Sequence, residues 1–285
     1  MQVSNQSVVG EAERQLRSHG FEPRIATLLF QDMFKLYNVE YTLALSEPIS
    51  GAHKKLYETF LKRVLNGEPY QYVVGFAHFY DETFIVNEDV LIPRFETEEL
   101  VALILEQEPG EGITIADVGT GSGAIGVSLA KHSRNQIYMS DKFPKALSVA
   151  EKNKNILNEN SGKVDYLLGD MFEPYIHNDI KVDVLVSNPP YIDRSEVDVM
   201  SEDTLNFEPH NALFANDDGL FYYKHMVSNL DKILNVGGRV YFEIGYRQGH
   251  VIREYIQSVW PSVNVEIIKD INNHDRIIYF RWEAM

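Results

Sequence analysis

The sequence predicts an α/β protein in which a parallel β-sheet is flanked by helices and preceded by a helical segment. Three observations lead to this prediction. The first seventy-odd residues have a helical pattern, a short stretch rich in β-type residues follows, and beyond residue 112 strand-like and helix-like runs alternate. Such alternation is typical of parallel sheets, because a crossover must return the chain to the same edge. With 285 residues, the chain can also hold one large domain and a smaller appendage.

Helices are predicted throughout the first 75 residues. Gly20 and Gly67 end helical runs, and Pro23 is well placed in a first helical turn. The predicted helices cover Glu11–Ser18, Ile25–Tyr37 and His53–Leu65. We therefore expect residues 1–75 to form a helical bundle, which either docks a substrate or only stabilises the fold.

A β-hairpin is predicted over residues 76–92, connecting the bundle to the following domain, 93–285. Two β-type runs, Thr83–Val86 and Val90–Ile92, flank the polar segment Asn87–Asp89. Polar residues between two such runs are typical of a turn.

Seven strands are predicted in the large domain. They cover Ile113–Val118, Gln136–Ser140, Val164–Leu168, Val182–Ser187, Arg239–Ile244, Val263–Ile268 and Ile277–Trp282. The intervening helices are predicted at Gly123–Lys131, Lys145–Leu157, Leu220–Leu234 and Val251–Val259. Only Lys269–Arg276 joins the last two strands, which is too short for a helical crossover, so these strands should pair antiparallel. This is the pattern of the class I (Rossmann-like) methyltransferase fold.

Composition excludes several kinds of protein. The chain has no cysteine, which rules out disulfides and thiolate zinc sites, and we predict no metal site. Acidic residues outnumber basic ones 42 to 26, and the net charge of −16 disfavours nucleic acid as a partner. No apolar run is long enough to span a membrane, and the first residues lack the layout of a secretory signal. We expect a soluble, cytoplasmic protein without a membrane partner.

A glycine-rich turn is the first candidate binding site. The predicted strand ending at Val118 runs into Gly119, Thr120, Gly121, Ser122 and Gly123, after which a helical pattern begins. Glycine lets a backbone approach a ligand closely at such a turn. Asp141 follows at the end of the next strand, where its carboxylate can accept hydrogen bonds from two ribose hydroxyls. These features predict a site for a nucleoside cofactor.

Two cofactor classes fit the turn. Gly119, Gly121 and Ala124 also satisfy the spacing of dinucleotide binders, so a nicotinamide-dependent oxidoreductase is one reading. The extra Gly123 and the negative charge of Asp117 favour S-adenosylmethionine, which is cationic. After the third strand, Asp170 is placed to bond an exocyclic amino group, and Met171 or Phe172 to cover an adenine face, although these two residues could equally belong to the core.

The candidate reacting centre follows the fourth strand, at Asn188, Pro189, Pro190 and Tyr191. Methylating an amide or aromatic amine requires acceptors for both N–H groups, because the nitrogen lone pair is delocalised. The Asn188 side chain supplies one acceptor, and a proline-restricted turn can aim the Pro189 carbonyl as the second. Tyr191 offers a face for the planar group. The pattern predicts catalysis mainly by positioning and electrostatics.

Motifs spread over residues 67–276 resemble those of the HemK/PrmC family. They are Gly67–Tyr72, Ile92–Glu98, Asp117–Gly123, Ser187–Tyr191, Phe207–Pro209, Asp218–Leu220 and Phe242–Gly245. The resemblance implies N5-methylation of the glutamine in the Gly-Gly-Gln loop of peptide chain release factors, with these factors as partners. It also implies that 119–123, Asp141, Met171 and Asn188 contact the cofactor, that 188–191 hold the glutamine, and that Pro93 and Arg94 line the same pocket.

The sequence departs from the family pattern in two places, and several other functions compete. Phe95 stands where proline is usual, and Asn272–His274 replaces a stretch that usually contains glycine, although Asp270 and Arg276 remain. Competing functions are methylation of a ribosomal protein glutamine, methylation of adenine N6 in a nucleic acid, and non-catalytic nucleoside binding. A nucleic acid enzyme should carry a basic recognition domain, which the sequence lacks.

Overall fold

A computed structural model describes residues 4–35, 48–157 and 162–283. It divides the chain into two compact units. One comprises Met1–Phe76 with Ser201–Phe207, and the other Ala77–Met200 with Glu208–Met285.

The first unit is helical. Its elements are α1 (Asn5–Ser18), α2 (Arg24–Lys35), α3 (Gly51–Leu65), α4 (Tyr70–Val74) and α9 (Glu202–Phe207). The sequence predicted α1 and α3 with later starts; Ser4 and Ser50 set the observed starts because their side chains accept backbone hydrogen bonds as N-caps. The predicted second helix is confirmed up to Lys35, and its last two residues lie outside the described residues.

Aromatic residues pack together in the core of this unit. Phe30 and Tyr57 are buried and meet edge to face with ring centroids 5.4 Å apart. The Tyr57 hydroxyl donates to the Ala26 carbonyl at 2.9 Å, so its polar end is satisfied inside the core.

A hairpin follows α4, and its turn lies elsewhere than predicted. Strand β1 (Phe76–Phe79) pairs with β2 (Glu82–Ile85). Tyr80 and Asp81 form the turn with φ of +48° and +62°, the left-handed backbone that short hairpins require. The predicted turn at Asn87–Asp89 is present, with the Val90 N–H donating to the Asn87 carbonyl at 3.1 Å, but the prediction that it joins two paired strands was wrong. The Asn87 side-chain oxygen accepts from the Asp89 N–H and stabilises the bend in this segment. Val90 and Ile92 are buried coil, so their apolar character reflects burial rather than strand pairing.

The predicted sheet is confirmed. Among the described residues, seven strands form one sheet in the order β5-β4-β3-β6-β7-β9-β8. They are β3 (Thr114–Val118), β4 (Gln136–Asp141), β5 (Val164–Leu168), β6 (Val182–Ser187), β7 (Leu234–Glu243), β8 (Val265–Lys269) and β9 (Asp275–Arg281). Neighbours among β3 to β7 run parallel, and β9 is antiparallel to both β7 and β8. This arrangement is the α/β class I methyltransferase topology that the sequence predicted.

Helices flank this sheet. They are α5 (Phe95–Gln107), α6 (Ala124–His132), α7 (Pro144–Leu157), α8 (Glu173–His177), α10 (His210–Leu213), α11 (Phe221–Val227), α12 (Leu230–Ile233) and α13 (Gly249–Val259), with a 3₁₀ turn at Arg194–Val199. The sequence did not predict α5, α8 or α10. The single helix predicted over Leu220–Leu234 is interrupted at Asn229, whose side chain bonds the His225 carbonyl in place of a continuing helix.

Side chains alternate between two apolar cores, one on each face of the sheet. In β6, Val184 and Val186 belong to one core while Leu185 belongs to the other. Burial on both faces explains the continuous apolar runs of the parallel strands. Within the described ranges, no helix is long and apolar enough to cross a membrane.

Candidate active site at the carboxyl edge of the sheet

A cleft lies where the neighbouring strands β3, β4 and β6 end. Its empty space is about 1070 Å³ including the open mouth, at the upper end of the range of ligand pockets. Its lining brings together the ends of these three strands: Gly119, Asp141 and Asn188 all border it. Parallel strands that end side by side make this edge the usual ligand site of open α/β sheets.

The glycine turn after β3 is open toward a ligand. Gly119 and Gly121 line the cleft with φ of +75° and +56°, and a side chain added at either would meet no atom within 4 Å. The backbone N–H groups of Gly119 and Thr120 both donate to the Ser140 carbonyl at 2.9 Å, which ties the turn to β4. Ser122 also lines the cleft.

Gly123, predicted to bind the cofactor, lies at a helix contact in the structure. It is not among the residues lining the cleft. Its φ is +82°, and an added Cβ would lie 3.0 Å from the Ala150 Cβ. A glycine is therefore required here for close packing of α6 against α7.

Asp141 ends β4 on the wall of the cleft. Its Oδ2 accepts from the Gly121 N–H at 3.0 Å and its Oδ1 from the Phe143 N–H at 2.9 Å. Burial raises the pKa of Asp141, and these backbone hydrogen bonds counteract the rise. Because each carboxylate oxygen has two acceptor directions, the group can still accept from ligand hydroxyls.

Asp117 lies beneath the glycine turn and does not line the cleft. Its Oδ2 accepts from the Thr120 hydroxyl at 2.5 Å and the Gly126 N–H at 2.9 Å. Its Oδ1 is buried without a partner among the described residues, and burial raises the pKa of Asp117 to about 6. Asp117 therefore shapes the turn, and its carboxylate lies behind the residues that line the cleft.

The segment after β5 divides between cleft and core. Asp170 and Met171 line the cleft, and Asp170 accepts from the Lys142 ammonium at 2.7 Å. Phe172 is 1% exposed and packs in the core, so the reading of this residue as a cover for adenine does not fit its position. Phe143, which sequence reasoning missed, is a cleft-lining aromatic that follows Asp141 by two positions.

The residues after β6 also divide. Asn188, Pro189 and Pro190 line the cleft, and the preceding Ser187 hydroxyl bonds the Val118 carbonyl at 2.7 Å, joining β6 to β3. Tyr191 is not among the lining residues. Its ring packs against the core, and burial raises the pKa of Tyr191 to about 12.

Two long-range pairs were not predicted. Glu208, nearly buried, accepts from the Arg94 guanidinium at 2.6 Å and from the Ile92 N–H at 3.3 Å, and so holds the segment that borders the cleft. Thr97, another lining residue, donates its hydroxyl to Glu243 at 2.6 Å. All four residues lie in the family-like motifs, which marked them as candidates. The partners are 114 and 146 positions apart, so the sequence did not show that they pair.

Comparison with known proteins gives the same class as the fold and the cleft. The methyltransferase small domain family matches residues 97–217, and the PrmC N-terminal domain family matches residues 7–75. A solved methyltransferase from Pyrococcus furiosus has a TM-score of 0.54 at 14% identity, covering 80% of this chain and all of that one. The ribosomal protein L11 methylase from Lactobacillus delbrueckii subsp. bulgaricus has a TM-score of 0.50 at 18% identity, covering 70% and 84%. The protein is a class I methyltransferase.

Curated relatives define the family. The release factor glutamine methyltransferase of Staphylococcus aureus is 37% identical over 98% of this chain and 100% of its own length. That of Bacillus subtilis is 36% identical over 94% of each chain. This chain belongs to the family of release factor glutamine methyltransferases, which confirms the resemblance to HemK/PrmC.

The cleft suits S-adenosylmethionine, the methyl donor that such enzymes use. The space beside Gly119 and Gly121 is open, and any Cβ would occupy it. Glycine therefore leaves room for a ligand to lie against the backbone. Asp141 and Asp170 supply acceptors for hydroxyl and amino groups, and Phe143 and Met171 supply apolar surface. The residues present therefore fit a nucleoside that carries an amino acid tail.

Proposed function

We propose that this protein transfers a methyl group from S-adenosylmethionine to the side-chain amide nitrogen, N5, of the glutamine in the Gly-Gly-Gln motif of peptide chain release factors. One observation carries the proposal: Asn188 borders the same cleft as the glycine turn, and its Oδ1 has no partner in the described parts of the chain. The names of the relatives support the choice of substrate, since those proteins are named for release factors.

The cofactor is assigned to one side of the cleft. The backbone of Gly119, Thr120, Gly121 and Ser122 would hold its amino acid end, and Asp141 its ribose hydroxyls. Asp170 would accept from the adenine amino group, while Met171 and Phe143 would cover the ring. Gly123 and Phe172, assigned to the cofactor from sequence, would act by packing behind this surface.

The glutamine amide is assigned to the Asn188 end of the cleft. The Asn188 Oδ1 and the Pro189 carbonyl would each accept one amide N–H, and Pro190 would help to fix the turn. Bound S-adenosylmethionine supplies an electrophilic methyl group. The two acceptors would hold the nitrogen in line for attack and stabilise the positive charge that develops on it, so no general base is needed before attack. As the N–CH3 bond forms, the S–CH3 bond breaks and S-adenosylhomocysteine is the leaving group. The methylated nitrogen then loses one proton to water. Tyr191 would support the turn from behind.

The helical residues 1–75 are proposed to dock the release factor, with 76–92 as connector and 93–285 as the catalytic domain. Residues 7–75 match the PrmC N-terminal domain family, so this helical segment is a recognised domain of its own. The net charge of −16 favours a protein partner over a nucleic acid.

A labelling experiment tests the proposal. The protein is incubated with radiolabelled S-adenosylmethionine and, separately, purified release factor, ribosomal protein extract and DNA, and labelled residues are mapped by mass spectrometry. We expect label on the Gly-Gly-Gln glutamine, with faster transfer to the intact factor than to a peptide carrying the loop. Label on a ribosomal protein or on adenine would keep the chemistry and overturn the substrate. Cofactor binding without any transfer would leave a non-catalytic binding protein.

A further inference from the structure

Thr97 and Glu243 form a buried pair beside the reacting centre. Thr97 lies in the first turn of α5 and Glu243 is the last residue of β7, and they are 4% and 1% exposed. The Thr97 hydroxyl donates to the Glu243 Oε2 at 2.6 Å. The same Thr97 oxygen accepts from the Asn188 Nδ2 at 3.3 Å. A chain of hydrogen bonds thus runs from Asn188 through Thr97 to Glu243.

The direction of this chain decides which way the Asn188 amide faces. An ionised carboxylate can only accept, so the Thr97 proton must point toward Glu243. Thr97 then offers Asn188 a lone pair, and only the NH₂ end of the amide can bond to it. The oxygen end is left as the acceptor of the cleft. A reversed amide would present two donors to the substrate amide and would repel its N–H groups.

Charged and titratable groups surround Glu243. Arg94 and Glu96 precede Thr97, Arg276 approaches from β9, and Tyr191 approaches from the turn after β6. The Tyr223 hydroxyl of α11 bonds the Glu243 carbonyl at 2.7 Å. Burial raises the pKa of Glu243 to about 7, against the Thr97 hydrogen bond and the two arginines, which lower it. Glu243 therefore changes charge near neutral pH.

We propose that Thr97 and Glu243 are positioning residues that hold the Asn188 amide with its oxygen directed to the substrate. The proposal rests on the function proposed above and assigns a task to two family-like motifs, Ile92–Glu98 and Phe242–Gly245. Glu243 does not line the cleft, so it acts on Asn188 only through Thr97.

The chain of hydrogen bonds from Asn188 through Thr97 to Glu243, here called the relay, makes turnover depend on pH. A protonated Glu243 can donate to Thr97, which can then donate to the Asn188 oxygen and withdraw that acceptor from the cleft. Activity should therefore fall as pH decreases through about 7. Glu243→Gln keeps an acceptor oxygen for Thr97 at every pH and should flatten this acid limb.

Thr97→Val is the direct test, because it keeps the shape of the side chain and removes the hydroxyl. We expect kcat to fall by about ten- to a hundred-fold, the same range as for loss of a hydrogen-bond partner that orients a metal ligand. The Kd for S-adenosylmethionine should stay within about twofold of wild type. Thr97→Ser, which keeps the hydroxyl, should have a kcat close to that of wild type. Ser128→Ala is the matched control, since it removes another buried hydroxyl of this unit and should leave kcat unchanged.

Hydrogen exchange of the Asn188 side-chain NH₂, followed by NMR with ¹⁵N-labelled asparagine, reads the relay without any turnover. Faster exchange is expected in Thr97→Val and wild-type exchange in Thr97→Ser. Unchanged exchange and kcat in Thr97→Val would overturn the relay, as would a raised KM for the release factor at unchanged kcat, which would mean direct contact with substrate. Should Thr97→Val not fold, the pH profile of Glu243→Gln decides, and an acid limb identical to wild type would overturn the proposal. Failure of the wild type to methylate release factor would sink the substrate assignment but leave the exchange result readable.

Discussion

Asn188 shows how neighbouring residues can orient a single side chain for the task proposed for it. Pro189 restricts its backbone to an extended conformation, and the Ser187 hydroxyl secures the strand end to the Val118 carbonyl. Thr97 occupies its NH₂ group. Asn188 can therefore present its oxygen without paying the ordering cost at the moment of binding.

Asn188→Ala and Asp141→Ala should impair different steps, because the two residues are proposed to hold different ligands. Asn188→Ala removes an acceptor for the amide, so we expect transfer to fall at least about a hundredfold, with only a small loss of cofactor affinity. Asp141→Ala should chiefly weaken cofactor binding. Single-turnover transfer and calorimetric titration with S-adenosylmethionine measure the two quantities. Full activity of Asn188→Ala would refute the acceptor clamp, and unchanged affinity of Asp141→Ala would refute the ribose assignment.

The strand-to-helix turn after β3 combines two demands within five residues. Gly119 and Gly121 leave open space in the cleft, whereas Gly123 lets α6 approach Ala150 of α7. A second close approach, at Gly126, brings α6 against Met139 of β4, where an added Cβ would lie 2.5 Å from the sulfur. One part of the turn thus borders the cleft, where we propose that the cofactor binds, and the other part serves packing.

Gly123→Ala and Gly121→Ala should separate these demands. A side chain at Gly123 must adopt φ +82° and lie 3.0 Å from Ala150, so we expect a loss of stability of roughly 1–2 kcal/mol or more, with cofactor affinity largely kept. Gly121→Ala is also strained, at φ +56°, but it meets no neighbouring atom; its methyl group lies in the cleft and should lower affinity more than ten-fold. Urea denaturation and cofactor titration are the measurements. Equal loss of affinity in both variants would show that Gly123 also contacts the cofactor.

At the scale of the whole molecule, stability is coupled to the buried acids that serve the site. The pKa of Asp117 is raised by burial to about 6 in the folded protein. Unfolding restores its ordinary value near 4, so around pH 5 the folded state binds the extra proton. The stabilisation present at low pH is therefore lost as pH rises through about 6.

Asp117→Asn should remove this pH dependence. Relative to wild type, the variant should gain melting temperature between pH 5 and pH 7.5, by about 2–4 °C for each ~1 kcal/mol. Asp270→Asn is the control: the pKa of Asp270 is lowered through hydrogen bonds from His274 and Arg276, although burial opposes this, so its titration falls below this pH window. Melting curves without cofactor provide the measurement. Parallel pH profiles for wild type and Asp117→Asn would contradict the assignment.

The amino-acid sequence by itself determined the α/β class, the antiparallel end of the sheet, the glycine turn and the Asn-Pro-Pro-Tyr segment. These features follow local rules, because strand and helix periodicity and the geometry of glycine and proline act over a few residues. For the same reason the sequence also identified the family, whose motifs are short contiguous runs.

Only the tertiary structure decided which residues of these motifs face the cleft. The hairpin turn lies at Tyr80 and Asp81, and Gly123 and Phe172 are not among the residues that line the cleft. The tertiary structure also joins Thr97 to Glu243 across 146 positions. Such pairs depend on strand order and helix packing, and no local pattern records them. The motifs therefore name the chemistry, whereas the fold decides which atoms perform it.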